Sequence, residues 1–204
     1  AAGTVQNLGV NATIENKTSS AGGIAMTNYG TILQCYTEGS IKGTYAGGYA
    51  GGIVGTNGGT MRDCYSTASI ETNQGAGGIA QINKGTIERC YATGAISGGS
   101  SEGASGITGR GYSGSITNCI ALNTSIGGTD SNLGRIAGRN DNDVTTYTGN
   151  YASPAIPGTW NNIGASTIDG ANLDDENFTG KGANEGAFTG WLATAWDFGD
   201  NTNL

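Results

Sequence analysis

The sequence has no histidine among its 204 residues. That absence removes Ser-His-Asp and Cys-His nucleophile machinery and every His-ligated metal site. Positive charge is scarce as well. Lys and Arg number 9 against 16 Asp and Glu, for a net charge of −7 and a pI near 4.4. A chain so poor in cations lacks the basic patch that nucleic acid requires. No run of about 18 apolar residues occurs, so no membrane span is expected. Helix caps and a 3.6-residue apolar period are also missing. Only 2 prolines and 12% charged residues accompany 39 glycines. This composition implies many turns and thin packing of small residues. It does not imply disorder, because the apolar positions that remain are periodic.

What is present is a repeat. Gly-Gly-Ile recurs at Gly22-Gly23-Ile24, Gly51-Gly52-Ile53 and Gly77-Gly78-Ile79, with a weaker Ser105-Gly106-Ile107. A cysteine follows each isoleucine at a near-constant distance, giving Cys35, Cys64, Cys90 and Cys119. Ile41, Ile70, Ile96 and Ile126 come next in the same order. A period of roughly 26–29 residues with fixed apolar positions marks a stacked architecture. The N-terminus joins the register, with Leu8 at the cysteine position and Ile14 after it. A further copy runs from Arg135-Ile136 to Ile156, with Asn150 at the cysteine position. Leu8 and Asn150 show that this position need not be reactive.

Each copy reads as three short strands separated by turns, too short for helices and punctuated by glycine. Stacking like on like then gives an all-β parallel β-solenoid of about five to six rungs, with strands about 4.8 Å apart along the axis. The repeats are expected over residues 1–156 and a C-terminal cap or tail over 157–204. The chain opens in mid-repeat at Ala1, so its first copy is expected to expose strand edges for another domain or another copy of the chain.

Several rows of equivalent residues are candidates for function. Asn28, Asn57, Asn83 and Asn140 share one position before a turn, with Gly111 in their place in the fourth copy. Asparagine tolerates left-handed backbone and its amide bonds turns, so this is read as a structural ladder. The cysteines fall in successive rungs with parallel side-chain directions. That suits an inward stack of free thiols better than disulfides between neighbours, although the spacing permits both. Zinc-ligand spacing is absent. Tyr36, Tyr65 and Tyr91 follow their cysteines directly. If cysteine points in, these tyrosines point out. They then either pack across rungs or offer a row for sugar rings.

Past Ile156 the pattern stops. The tail holds Trp160, Trp191 and Trp196 and all three phenylalanines. Such aromatics carry large buried area, and a solenoid end needs a cover. Residues 184–192 suit a short helical turn, and Trp191 with Trp196 form an alternative docking surface. Asp63 and Glu88 stand near one another in adjacent rungs, at a distance that paired glycosidase carboxylates also adopt. Glu38 is a third carboxylate in the neighbouring repeat. Asp141-Asn142-Asp143 and Asp174-Asp175-Glu176 resemble calcium ligands in type, but lack an EF-hand continuation. No cofactor or metal is therefore expected.

The stretch Gly52-Ile53-Val54-Gly55-Thr56-Asn57-Gly58-Gly59-Thr60 resembles the GLUG motif. So do Glu88-Arg89-Cys90-Tyr91-Ala92-Thr93-Gly94 and Ile116-Thr117-Asn118-Cys119. Trp196-Asp197-Phe198 resembles the aromatic segment that often follows such repeats. The resemblance implies a bacterial secreted or cell-surface solenoid, right-handed in its coil, of the kind found in adhesins, stalks and accessory regions of IgA-cleaving peptidases. It implies no catalytic residues. The leading expectation is a non-enzymatic structural or adhesive module that associates with itself end to end or docks another domain. Glycan binding along the tyrosines and carboxylate-based polysaccharide cleavage are the rivals. A glycan or a host or surface protein is the expected external partner.

Overall fold

The computed structural model describes residues 3–17, 19–44, 46–98, 102–128, 132–140, 145–174, 176–178, 181, 184–191 and 195–196. The chain coils into a parallel β-solenoid with four walls. The first wall stacks Thr4–Gln6, Thr31–Leu33, Thr60–Arg62, Thr86–Glu88, Ser115–Thr117 and Thr146–Thr148. The second runs from Gly9–Asn16 and Tyr36–Gly43 through Tyr65–Ser66, Tyr91–Ala92 and Ile120–Ala121 to Tyr151–Ala152. The third and fourth are short glycine- and alanine-rich strands, such as Tyr49–Gly51 and Val54–Asn57 in one rung. All strand pairs within these walls are parallel and in the register that the repeat dictates. Asn28 lies beside Asn57, Asn57 beside Asn83, and Tyr65 beside both Tyr36 and Tyr91.

Most rungs hold five strands, not the three expected, because two kinds of corner cut the longer runs. One corner is the Gly-Gly pair. A Cβ at Gly51 would land on the carbonyl oxygen of Val54, and one at Gly52 on that of Gly78 in the next rung. The backbones meet where only glycine fits, which is why the motif repeats. The other corner lies just before each cysteine. Asn7, Gln34, Asp63, Arg89 and Asn118 all have left-handed backbone, with φ of 56°, 52°, 54°, 51° and 52°. Gly149 closes this row at φ 63°. A further bend at Thr67-Ala68 divides the second wall in the later rungs. In the first two rungs that wall is one strand of 8 residues.

The core is a column of stacked side chains. Ile53, Ile79, Ile107 and Ile136 form one row, Ile32, Met61, Ile87 and Ile116 another, and the cysteines a third, all essentially buried. The isoleucine row continues past Ile156, the last residue of the regular repeat, to Ile168. The backbone N–H groups of Ile136 and Ala137 both donate to Ile168 O, at 2.9 Å each. In the rungs below, Ile53 N donates to Ile79 O and Ile79 N to Ile107 O. Ala171–Asn172 then pairs with Tyr151–Ala152 on the second wall. Only Asp169 and Gly170 thus separate the isoleucine row from the tyrosine row, and the last turn cuts across the end of the coil. Ile156 is buried there, with Trp160 and Ile168 packed against the same core.

Candidate functional site

The thiol column is a packing device. Cys35, Cys64, Cys90 and Cys119 are all free and buried. The Sγ of each lies 3.1–3.4 Å from the carbonyl oxygen two residues back, on Leu33, Arg62, Glu88 and Thr117. Asn150 completes the column with a different chemistry. Its Nδ2 donates to Ile116 O at 2.8 Å and its Oδ1 accepts from Cys119 N at 3.0 Å. Three of these thiols, Cys35, Cys64 and Cys90, are hard to ionise. For Cys35 the bond to the Cys64 thiol, then burial, raises its pKa. For Cys64 the Cys35 contact lowers it, but Cys90 and burial prevail and the net shift is upward. Burial leads for Cys90, which is raised well above its ordinary value.

The amide ladder is equally closed. Asn28 Nδ2 donates to Asn57 Oδ1 at 2.9 Å, and Asn57 Nδ2 to Asn83 Oδ1 at 2.9 Å. Each amide oxygen also accepts the backbone N–H two residues on, at Gly30, Gly59 and Gly85. The ladder skips Gly111 for a steric reason. A Cβ there would meet Thr145 Oγ1 and the Tyr147 hydroxyl at 2.7 and 2.9 Å. Tyr147 takes the place of the smaller Ile or Met on the first wall and reaches the room an asparagine would need. Asn140 resumes the same register position beside Gly111.

On the outer face of the second wall, Tyr36, Tyr65 and Tyr91 stack with almost parallel ring planes. Their ring centroids are 4.9 and 5.0 Å apart, tilted by 3° in each pair. Below Tyr36 the register places Gly9, and a Cβ on Gly9 would collide with the Tyr36 ring. Ring faces therefore lie against one another or on backbone, and the row presents edges. The tail runs back along this face as a strap. Trp191 stacks on Tyr91 at 6.4 Å and meets Phe188 edge-on at 5.5 Å. Its Nε1 donates to Asn118 O at 2.9 Å. Trp196 lies across Tyr65 and Tyr91, and its Nε1 reaches Asp63 Oδ1 at 3.2 Å. Trp191 is only 2% exposed, so it serves as an anchor and not as an outward docking surface. Its apolar area is spent on the solenoid flank. Tyr91, beneath it, is pushed up to about 12 by burial and by the Tyr65 charge. The expected helical turn appears as a 3₁₀ turn at Gly186–Phe188.

The carboxylates are held by partners. Arg89 forks onto Asp63 at 2.7 and 3.1 Å and also pairs with Glu88. Arg62 reaches Glu88 at 2.7 Å. Glu38 accepts from Asn11 Nδ2 at 3.0 Å. Asp174 and Asn177 cap each other reciprocally at 3.0 and 3.1 Å. Asp141, Asn142, Asp143, Asp175, Asp197 and Phe198 lie outside the described residues.

The two ends differ. At the N-terminal end the inward positions are open. Val5 is 38% and Leu8 41% exposed, against 2% and 1% for Ile32 and Cys35 one rung on. Met26 is 56% exposed, and Ile14 and Ile24 are partly buried. The C-terminal end is shut by the crossing segment and by a buried arginine. Arg135 donates to the backbone oxygens of Asp169 and Gly170 at 2.8 and 3.0 Å and to Asn172 Oδ1 at 2.7 Å. Neither Arg135 nor the left-handed corner row was evident from the repeat pattern. A charge inside the repeat, just before an isoleucine, was the available signal for the former. Among the described residues no helix is long and apolar enough to cross a membrane.

These features define a parallel β-solenoid, and one of its copies, residues 46–71, matches the GLUG motif. The fold is similar to a crystal structure from Bacteroides ovatus of a protein provisionally named an immunoglobulin A1 protease. The TM-score is 0.74 at 25% identity, over 98% of this chain and 67% of that one. None of the curated proteins matches this chain.

Proposed function

We propose that the chain is a non-enzymatic, extracellular structural module of a bacterial surface or secreted protein, whose first rung stacks against a further rung of the same kind. The asymmetry of the ends carries this reading. The first rung offers unpaired strand edges together with Val5, Leu8 and Met26, and these are the positions that every later rung buries. What fits such a face is another rung of the same kind. At the C-terminal face the crossing segment covers the isoleucine row and the second wall, so no complete rung is left there to receive the first rung of a second molecule. Two copies of the polypeptide of residues 1–204 can cover that face by meeting head to head, as a closed twofold pair. The longest free edge, Gly9–Asn16, supplies backbone groups for that pairing. The GLUG motif and the bacterial neighbour support the extracellular setting. Catalysis is disfavoured because Asp63 and Glu88 are neutralised by Arg89 and Arg62. Sugar stacking on Tyr36, Tyr65 and Tyr91 is disfavoured because it needs a ring face, and these rings show edges.

Sedimentation velocity over a rising concentration series tests the proposal. The expected result is a monomer–dimer equilibrium that stops at two, and its loss in Leu8→Asp. A protein that stays monomeric throughout, or one that forms open-ended polymers, overturns it.

A further inference from the structure

The crossing segment that closes the C-terminal end leaves a hollow beside it. The segment omits the outer strands of a full turn, so the last strands of the fourth wall lack a rung above them. The loop from Thr159 to Asp169 passes opposite, and between loop and wall lies a cavity of about 850 Å³. That is within the range of small-ligand sites, roughly 300–1,000 Å³.

The lining is unusual for this molecule. Asn161, Asn162, Ser166 and Thr159 face the cavity from the loop, and Asn132 and Asn140 from the wall. Each carboxamide offers two donors and an acceptor, and each hydroxyl offers both. Leu133, Ile168 and Tyr147 add a narrow apolar strip. The charged groups are already engaged. Asp169 accepts Asn162 N at 2.9 Å and Arg135 N at 3.4 Å. Arg139 stands 3.7 Å from Glu102. The cavity therefore presents many neutral donors and acceptors and little uncompensated charge.

The loop wall is also fixed in place. Its Asp169 end is clamped by Arg135. Gly164 and Gly170 bridge at 3.0 Å, Thr167 Oγ1 donates to Gly164 O at 2.8 Å, and Trp160 Nε1 to Ile156 O at 3.0 Å. A braced backbone presents the Asn161 and Asn162 side chains without the cost of ordering the loop on binding, which favours recognition of a weakly held polar ligand.

We infer that this C-terminal hollow is a binding site for a short neutral oligosaccharide, whose hydroxyls pair with the loop carboxamides while its C–H faces lie on Tyr147, Leu133 and Ile168. Vicinal hydroxyls match the donor-and-acceptor pattern of Asn161 and Asn162. A carboxylated sugar finds no unpaired cation there. This site is separate from the open N-terminal face and from the tyrosine row.

Amide-resolved NMR titration of the whole chain tests this, with maltotriose, cellotriose and triacetylchitotriose as neutral probes and 3′-sialyllactose as the acidic one. At least one neutral trisaccharide should shift the Asn161, Asn162 and Thr167 signals saturably. The double variant Asn161→Ala/Ser166→Ala should weaken that affinity tenfold or more with its melting temperature unchanged, since both residues are exposed. Tyr36→Ala should bind as the parent does. Failure of all three neutral sugars to bind, binding of the acidic sugar alone, or shifts centred on Tyr36 each overturn the inference.

Discussion

Asn57 has no spare hydrogen-bonding capacity. Its amide donates to Asn83 Oδ1 and Thr86 O, and accepts from Asn28 Nδ2 and Gly59 N, while the residue is 0% exposed. Removing such a group strands partners on both sides. Asn57→Leu is expected to cost about 2–4 kcal/mol in urea unfolding, since each buried group left unsatisfied costs about 1–3 kcal/mol. Asn28→Ala, on the first rung with one fewer neighbour, should cost less. The thiol column makes a second prediction, in pH. Cys35, Cys64 and Cys90 are all raised in the folded protein, while unfolded thiols ionise near 8.5. Their contribution is thus complete below about pH 8.5 and is lost as pH climbs toward the folded values. Tyr91, raised to about 12, extends the loss above pH 10. Melting temperature should hold steady between pH 6 and 8, with no histidine to titrate, then fall through pH 9 to 12. In Cys64→Ala the fall above pH 9 should be shallower, though the melting temperature starts lower.

Among the elements, the corners show how far the sequence could be read. The rows of Ile, Cys, Asn and Tyr were legible because each repeats one residue type at one register. They set the coil, the register and the inward and outward faces. The left-handed corner was harder to see, because Gln34 and Arg89 interrupt a row, Asn7, Asp63, Asn118 and Gly149, that is otherwise made of residue types tolerant of that backbone. At Gln34 and Arg89 the geometry is imposed by the tertiary stack and overrides local preference, at a cost of roughly 1–2 kcal/mol per residue. Each side chain found its own use for the outward position. This predicts opposite outcomes for the same substitution. Gln34→Gly should leave stability unchanged or raise it by up to about 1 kcal/mol, since it relieves the strain and gives up only an exposed bond to Gln6. Asp63→Gly should destabilise, because Arg89 and the Trp196 indole lose their acceptor. Chemical denaturation of the two variants side by side checks this. The cap was legible as an aromatic, pattern-free segment. Its path was not, because Ile168 and Ala171 rejoin the stack after a spacing the repeat does not use.

At the level of the whole molecule, stability is a chain of neighbour contacts, so damage should stay local. Trp191→Ala removes the anchor of the strap, for an expected loss of about 3–5 kcal/mol in that region. Hydrogen exchange should then rise at Phe178, Phe188 and the outer face from Tyr65 to Tyr151. The Asn28 and Ile41 rungs should keep their protection. Arg135→Leu should instead open the end, with faster exchange at Ile136, Ala137 and Ala171.

The closure at the C-terminal end has a consequence for how this module behaves in a mixture. A stack whose last turn folds across its own end acts as a terminator there: the rungs laid down before it are finished, and growth is not handed onward past the crossing segment. Added to a solenoid that elongates through matching ends, it should shorten the products in proportion to its mole fraction.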